Sequence, residues 1–542
     1  MKVNVKRIDH LGIVAGTIKD LGIVELIDGI IKSDSQEEIT SGEAVAGMIL
    51  NGLGFVSRPL MLTPQFFEGK PLEILIRKGI QPEHFNRHKL GRVLDDIGEY
   101  GCEKLFNTIA LEACRKEKID MRFAHADTTS YSLNGEYDSD SDTEKINVTY
   151  GYSKDKRQDL KQVVQELITS QDGGIPFITK AWDGNASDTI ILRERVDQLM
   201  EEFSKAGDRI FVSDSKLFDA KTAKILDKIK FLTRVPSTIG EENKLIDKAL
   251  QSQESWTEAD SKGYKLQEFS VDLYGISDQR WIVVNSKQAR ERAQETLTKM
   301  VTKEKELIDK QLSQLQTELF SCETDAQKQL TKISKKWKFH QATNQKTTTI
   351  KHYTKRGRPT ANTPYEIKWQ IQAQALLNQV SIDKIIDQRS CFVLATNVCS
   401  DKLPIQEVLP NYKGQDKTEK GFMFLKSPEF FASSFFVKKA SRIDGLLMIM
   451  VLSLLVYSIA QRRIRNQLNI LKLMIPNQIN KPTATPTMRW IFQIFEGINY
   501  VTVELKGAVN HIIEGLTELR TKIIKLMSPN VQQIYQIFET GG

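Results

Sequence analysis

Asp127, Asp214 and Glu419 stand far apart in the chain, each in a setting that suits a metal-binding carboxylate. Asp127 lies in FAHADTTSYSL and Asp214 in RIFVSDSKLF, and both end short strand-like runs. Glu419 lies in YKGQDKTEKGFMFLK, which reads as a helix. Mg²⁺ is a hard ion that takes one or two carboxylates and keeps waters and substrate phosphates as its other ligands. Two such ions, roughly 3.5–4 Å apart, activate an attacking oxygen, stabilise the charged phosphoryl transition state and help the leaving oxygen. The chemistry indicated is phosphodiester cleavage on two Mg²⁺ ions, with Mn²⁺ as a substitute.

Each acid also has a plainer reading. Asp127 is a turn residue, Asp214 caps the helix that follows it, and Glu419 is a solvated helix position. The apolar runs before the two aspartates imply burial, and an unpaired buried carboxylate is costly. The glutamate segment is the most specific. Counting from Tyr412, Gln415, Glu419 and Lys426 follow at three, seven and fourteen residues, which predicts one face of one helix. Phe422, Phe424 and Leu425 make that helix amphipathic. Lys426 is placed to neutralise a phosphate as a point charge.

The elements needed to position these residues follow in order. Residues 1–118 read as a helical N-terminal domain, with TSGEAVAGMILNGLGF capped at Thr40 or Ser41 and two further amphipathic helices. It suits DNA end recognition, or it is a packing domain. Residues 119–235 alternate strand, hairpin (KQVVQELITS and IPFITKAW around QDGG), helix, strand (RIFVSDS), helix (KLFDAKTAKILDKI) and strand (KFLTRV). That mixed α/β order matches the first part of a ribonuclease H-like core. Residues 236–400 read as an α+β insertion with strands and a charged helical hairpin over Lys287 to Lys336. Residues 401–475 complete the core with the Glu419 helix and an apolar helix. Residues 476–542 read as a proline-containing linker and C-terminal helices. Val509, Ile512, Leu516, Leu519, Ile523 and Leu526 recur there at heptad spacing, either core packing or a dimer seam.

Bulk properties exclude several classes. The chain has 542 residues, enough for several cores. Its net charge is only +7, so a nucleic-acid surface must come from local clustering. None of the five cysteines forms a C-x-x-C pair, which argues against zinc and a disulfide scaffold. No secretory signal is read, and a cytoplasmic location is expected. The apolar run 445–460 is shorter than the ~20 residues a membrane span requires; a buried core helix is expected and no membrane partner. No phosphate-binding glycine loop ending in Gly-Lys-Ser/Thr and no H-E-x-x-H pair is present, so neither ATP use nor zinc hydrolysis is indicated.

Taken together, HADTTS, GYSKDKRQDLKQ, WDGNASD, VSDS and the Tyr412/Gln415/Glu419/Lys426 set resemble bacterial insertion-sequence transposases of the DDE type, in the branch marked by Y-x2-R-x3-E-x6-K. One position departs: Gln415 stands where that branch has arginine. The resemblance covers about 120–475. It implies that Asp127, Asp214 and Glu419 hold two Mg²⁺ ions, that terminal inverted repeats are cut, and that the freed 3′ ends are joined to target DNA. It implies Tyr412 and Lys426 at DNA phosphates, a homodimer in the DNA complex, and, through Gln415, no secure hairpin step. Lys154 and Arg157 are further DNA-binding candidates, in a basic stretch. Arg356 and Arg358 belong to an Arg-Gly-Arg-Pro core that enters a narrow minor groove or is an ordinary basic loop. Lys335, Lys336, Trp337, Lys338 and His340 suit backbone contact plus stacking, or start a half-buried strand. The rival readings are a catalytically silent domesticated DNA-binding protein and a stand-alone ribonuclease H-like nuclease.

Overall fold

The computed structural model describes residues 2–32, 36–56, 59–135, 137, 146–205, 209–353, 358–360, 362–427, 439–505 and 508–537. The strands in chain order are β1 (Lys2–Arg7), β2 (Phe123–Leu133), β3 (Lys161–Ser170), β4 (Pro176–Trp182), β5 (Ile210–Ser213), β6 (Lys230–Arg234), β7 (Thr257–Glu258), β8 (Tyr264–Ser270), β9 (Arg280–Ser286), β10 (His340–Tyr353), β11 (Tyr365–Leu377), β12 (Cys391–Thr396), β13 (Ile475–Pro476), β14 (Pro482–Thr483), β15 (Asn499–Leu505) and β16 (Ala508–Glu514). The architecture is mixed α/β, with many helices. The chain forms two compact units: residues 1–233, 274–277 and 410–542, and residues 234–273 and 278–409.

The first unit is built on the strand order β4-β3-β2-β5-β6. β4, β3 and β2 run antiparallel in sequence, whereas β5 is parallel to β2 and β6 to β5. Nearly every residue of β2, β3 and β4 is buried, as befits strands covered on both faces. Helices Cys102–Lys116 and Ala440–Ile470 pack on β4. The second of these is long and apolar enough to span a membrane by length and composition, yet 89% of its most apolar window is buried inside the protein. Helices Leu11–Leu21, Ser41–Gly52, Arg87–Tyr100, Cys102–Lys116 and Asp416–Leu425 all touch it, which explains why it is hydrophobic around its whole circumference. In the N-terminal helices, Thr40 and Glu43 form a reciprocal capping box at the start of Ser41–Gly52.

The second unit carries strands in the order β12-β9-β8-β7, all antiparallel where paired. It also holds helices Lys287–Thr317 and Glu323–Ser334, the hairpin expected from the charged stretch. β10 and β11 form a separate two-stranded ribbon.

Three local expectations are corrected. The heptad pattern from Val509 does not make one helix: Val509 and Ile512 lie on β16, and the helix begins only at Glu518. The β-branched residues of β15 and β16 pair with each other, and β15 also pairs with β1. Tertiary pairing therefore overrides the helical period. KLFDAKTAKILDKI yields only a short helix, Ala223–Leu226. There Asp219 Oδ1 accepts from the Lys221 and Thr222 N–H groups, a turn that displaces the helix start. Finally, Tyr412 and Glu419 do not share a helix. The segment is split into Ile405–Lys413 and Asp416–Leu425 at Gly414 and Gln415.

Candidate functional site

The parallel register of β2 and β5 brings the first two acids together. Phe123, Ala124 and His125 pair with Ile210, Phe211 and Val212. Carried two residues further, the same register sets Asp127 beside Asp214; Asp214 directly follows β5, whereas Asp127 lies in the middle of β2, which continues to Leu133, and does not end its strand as the sequence suggested. Adjacent strands lie about 4.8 Å apart. Asp214 is held there by its carbonyl, which accepts from Thr233 Oγ1 of β6 at 2.7 Å. Its side chain accepts from the Lys216 N–H at 3.0 Å, so the capping reading also holds.

Asp188 was not singled out by sequence reasoning, although it closes the motif WDGNASD. It opens the helix Asp188–Lys205 and accepts from Thr128 Oγ1, next to Asp127. Two ammonium groups lie among these carboxylates. Lys154 Nζ is 3.4 Å from Asp188 and 3.9 Å from Asp127, and it donates to Thr128 Oγ1 at 2.8 Å. Lys216 pairs with Asp188. Lys154, expected on DNA, is therefore drawn into the acid site. Its loop is fixed by close backbone approach: a Cβ at Gly151 would lie 2.0 Å from the Gly184 carbonyl, and one at Gly184 would lie 2.0 Å from the Gln162 carbonyl.

Glu419 is placed by its neighbours. Thr418, Gly421, Phe422 and Leu425 form the buried face of its helix. Thr418 Oγ1 exchanges a hydrogen bond of 2.7 Å with Thr169 Oγ1 on β3, and Thr169 pairs with His125 on β2. Glu419 follows directly after Thr418 and is exposed. Among the described residues, no three Asp, Glu, His or Cys side chains are gathered closely enough to hold a metal ion. The structure thus brings Asp127 and Asp214 together with Asp188, and leaves Glu419 at the solvent side of its helix.

The remaining candidates are distributed as follows. Lys426 pairs with both Asp155 oxygens at 2.9 Å and lies 5.6 Å from the Tyr131 ring centre. Arg157 makes a bidentate pair with Asp159 at 2.8 Å, on the surface. Tyr412, in the last turn of Ile405–Lys413, and Gln415, in the helix break, are both half-buried. Arg358 is exposed, and Arg356 lies outside the described residues. Trp337 donates to Gln311 and His340 bonds Glu304, so both turn toward helix Lys287–Thr317.

Gly414 shows why the chain breaks before Glu419. A Cβ there would lie 1.7 Å from Gln171 Oε1 and 2.6 Å from His125 Cε1. The buried His125 ring is pushed down to about 4 by burial, against the opposing influence of the nearby Gln171 side chain. Gly414→Ala is expected to displace the Glu419 helix and to lower stability by about 1–3 kcal/mol, the usual penalty for overpacking. A urea midpoint measures it, and an unchanged midpoint would show that the contact relaxes freely.

Burial pushes the Asp127 carboxyl up to about 6, against Lys154 and the Thr128 N–H, with Asp214 and Asp188 adding repulsion. The folded protein therefore holds the Asp127 proton more tightly than the unfolded chain, where the ordinary value is 3.8. The associated stability is present below pH ~4 and is lost as pH rises through about 6. In metal-free protein, Asp127→Asn is expected to match wild type near pH 4 and to exceed it by up to about 2 kcal/mol near pH 7. Denaturant titrations at the two pH values check this; parallel curves would contradict it.

The comparisons with known proteins are sparse. Residues 3–111 match the model of a domain of unknown function, DUF4277. None of the curated proteins matches the chain. Among solved structures, a piggyBac transposase synaptic complex with hairpin DNA, determined by cryo-EM, aligns with 100% of this chain and 85% of its own. The identity is 8% and the TM-score 0.35, a likeness too slight to carry a fold or a function.

Proposed function

We propose that the protein is a DNA transposase of the DDE type, cutting the terminal inverted repeats of an insertion sequence and joining the 3′ ends to target DNA. The observation that carries this reading is the parallel register of β2 and β5, which sets Asp127, within β2, beside Asp214, just past the end of β5. The strand order β4-β3-β2-β5-β6, with the first three antiparallel and the rest parallel, supports a ribonuclease H-like core around them. The motif spacing from Tyr412 to Lys426 supports the assignment of Glu419 as the third acid.

The donor chemistry fits Mg²⁺. The acids offer carboxylate oxygens, the donors Mg²⁺ takes, and their mutual repulsion would favour an added cation beside the Lys154 and Lys216 ammonium groups. In this reading Asp127, Asp214 and Glu419 hold two ions, which when bound activate the attacking oxygen and stabilise the leaving one. The chain's own residues prepare that site. Thr128 orients Asp127 through its N–H (2.7 Å) and Asp188 through its hydroxyl. Lys154 and Lys216 neutralise the aspartates while no metal is bound. Tyr412 and Lys426 contact DNA phosphates, with Lys426 leaving Asp155 to do so, and two copies act together on paired ends. Gln415 supplies an amide where a charged arginine would stand, so a hairpin intermediate is not part of the proposal.

The test is strand cleavage of a labelled duplex carrying the ends that flank the gene, with Mg²⁺, Mn²⁺ or chelator. Metal-dependent nicking at the element boundary is expected. Binding without cleavage in any metal would favour a silent DNA-binding protein. Cleavage that ignores the end sequence would favour a stand-alone nuclease.

A further inference from the structure

One segment outside the acid site is strongly basic. Residues 340–377 contain Lys346, Lys351, Lys355, Arg356, Arg358 and Lys368 against the single acid Glu366, a net +5 within a chain whose total is +7. In the structure residues 340–353 and 365–377 of this segment form the β10–β11 ribbon, and Lys355 and Arg356 lie outside the described residues. Its base is anchored: Ile371 is buried with Leu315, Ala326 and Leu330 of the two long helices of that unit. The last anchor is Phe320, which exchanges backbone hydrogen bonds of 2.8 and 2.9 Å with Trp369.

Beyond Trp369 the ribbon continues with the cross-strand pairs Ile350–Lys368, Lys351–Ile367, His352–Glu366 and Tyr353–Tyr365. All of these residues except Lys368 are exposed. Strand alternation puts Lys351, Tyr353, Tyr365 and Ile367 on one face. There the Lys351 ammonium lies 4.5 Å over the Tyr365 ring, and the two tyrosine rings meet edge-on with centres 5.9 Å apart. The other face carries Ile350, His352 and Lys368, the last paired with Glu366 at 2.9 Å. An isolated two-stranded hairpin is marginally stable in water. Yet this one leaves Ile367 59% and Tyr365 45% exposed.

We infer that the distal β10–β11 ribbon is a duplex-DNA-binding arm that enters a major groove. The groove is about 12 Å wide and admits a two-stranded β-ribbon. The cations meet the phosphates that line it. The exposed tyrosines and isoleucines meet sugars and thymine methyl groups. A second copy of the ribbon is a poor occupant, because it would set one +5 segment against another. The inference deepens the proposed function by naming a surface for its DNA, and it rests on that reading only for which DNA is bound.

The experiment uses the full chain and a labelled duplex of arbitrary sequence, with affinity followed against salt by fluorescence anisotropy. Each lost phosphate contact flattens the slope of log affinity against log salt by about 0.9. Lys351→Ala/Arg358→Ala/Lys368→Ala is therefore expected to flatten it by about 2–3 and to weaken low-salt binding at least ~10-fold. Lys351→Arg/Lys368→Arg is expected to retain both. If the triple variant does not fold, the single exposed change Lys351→Gln decides, with an expected flattening of about 1. An unchanged slope overturns the inference. So does a triple variant that binds DNA normally but loses self-association in light scattering, since the ribbon would then be a protein interface. Normal nicking with unchanged binding would sink the arm alone; ribbon-dependent binding without nicking in any metal would sink the transposase reading alone.

Discussion

Asp127→Asn and Asp214→Asn are each expected to lower metal-dependent nicking by about a thousandfold or more, a loss of roughly 4 kcal/mol of transition-state stabilisation. Both amides preserve size and the local hydrogen bonds. The Thr128 N–H reaches Asp127 Oδ1 at 2.7 Å and the Lys216 N–H reaches Asp214 Oδ1 at 3.0 Å, and an amide oxygen can accept either bond, though without the assistance of charge. What is removed is charge at the point where, in the proposed reading, a divalent ion would be held. Duplex binding should therefore persist while cleavage disappears. Glu419→Gln is expected to behave the same way if Glu419 is the third ligand. Asp188→Asn separates a positioning role from a ligand role. If Asp188 only holds Thr128, Lys154 and Lys216, its variant should lose about tenfold and recover much of that at higher Mg²⁺. A thousandfold loss at Asp188 together with little loss at Glu419 would transfer the third position from one to the other. Retained cleavage in Asp127→Asn would remove the two-metal reading altogether.

The sequence made the strands around Asp127 legible because local pattern and tertiary role agree there. FAHADTTSYSL, KQVVQELITS and KFLTRV are apolar, β-branched and bounded by turn residues, and they form β2, β3 and β6 nearly residue for residue. The pairing of Asp127 with Asp214 depends on the register of β2 against β5, which no local pattern specifies. Asp188 escaped for a related reason. It looks like an ordinary first-turn acid of a helix, and its meaning comes only from Thr128, Lys154 and Lys216, which reach it from three other segments. The Glu419 face misled for a steric reason. Spacing alone predicts one helix from Tyr412 to Lys426, and the close approach of Gly414 to Gln171 and His125 breaks it. The ribbon strand β10 was hard to read because Thr347, Thr348 and Thr349 put polar side chains on both of its faces. A two-sided exposed strand carries no alternation to read.

Glu166→Ala is expected to destabilise the first unit by about 3 kcal/mol or more, read as a lower urea midpoint. Glu166 is fully buried on β3. Its two oxygens accept from Arg195 at 2.8 and 3.0 Å, and Oε2 also accepts from the Trp182 indole at 2.9 Å. Arg195, only 3% exposed, donates in turn to Glu103 at 2.6 Å. The network therefore ties β3, β4 and helix Cys102–Lys116 to the helix that begins at Asp188. Removing the carboxylate leaves a buried guanidinium with Glu103 as its remaining acid, which keeps the expected loss near the lower end of the range for broken buried pairs. Arg195 lies about two turns along the helix from Asp188, so the same change should also shift Asp188 and weaken its hold on Lys154 and Lys216. Glu166→Leu/Arg195→Leu tests whether the charges or the packing matter. Replacing both partners removes the orphaned charge, and the double variant is expected to regain most of the stability that the single variant loses. Recovery of stability without recovery of cleavage would show that this ion pair is kept to position the helix start at the acids, since an apolar pair would hold the fold equally well.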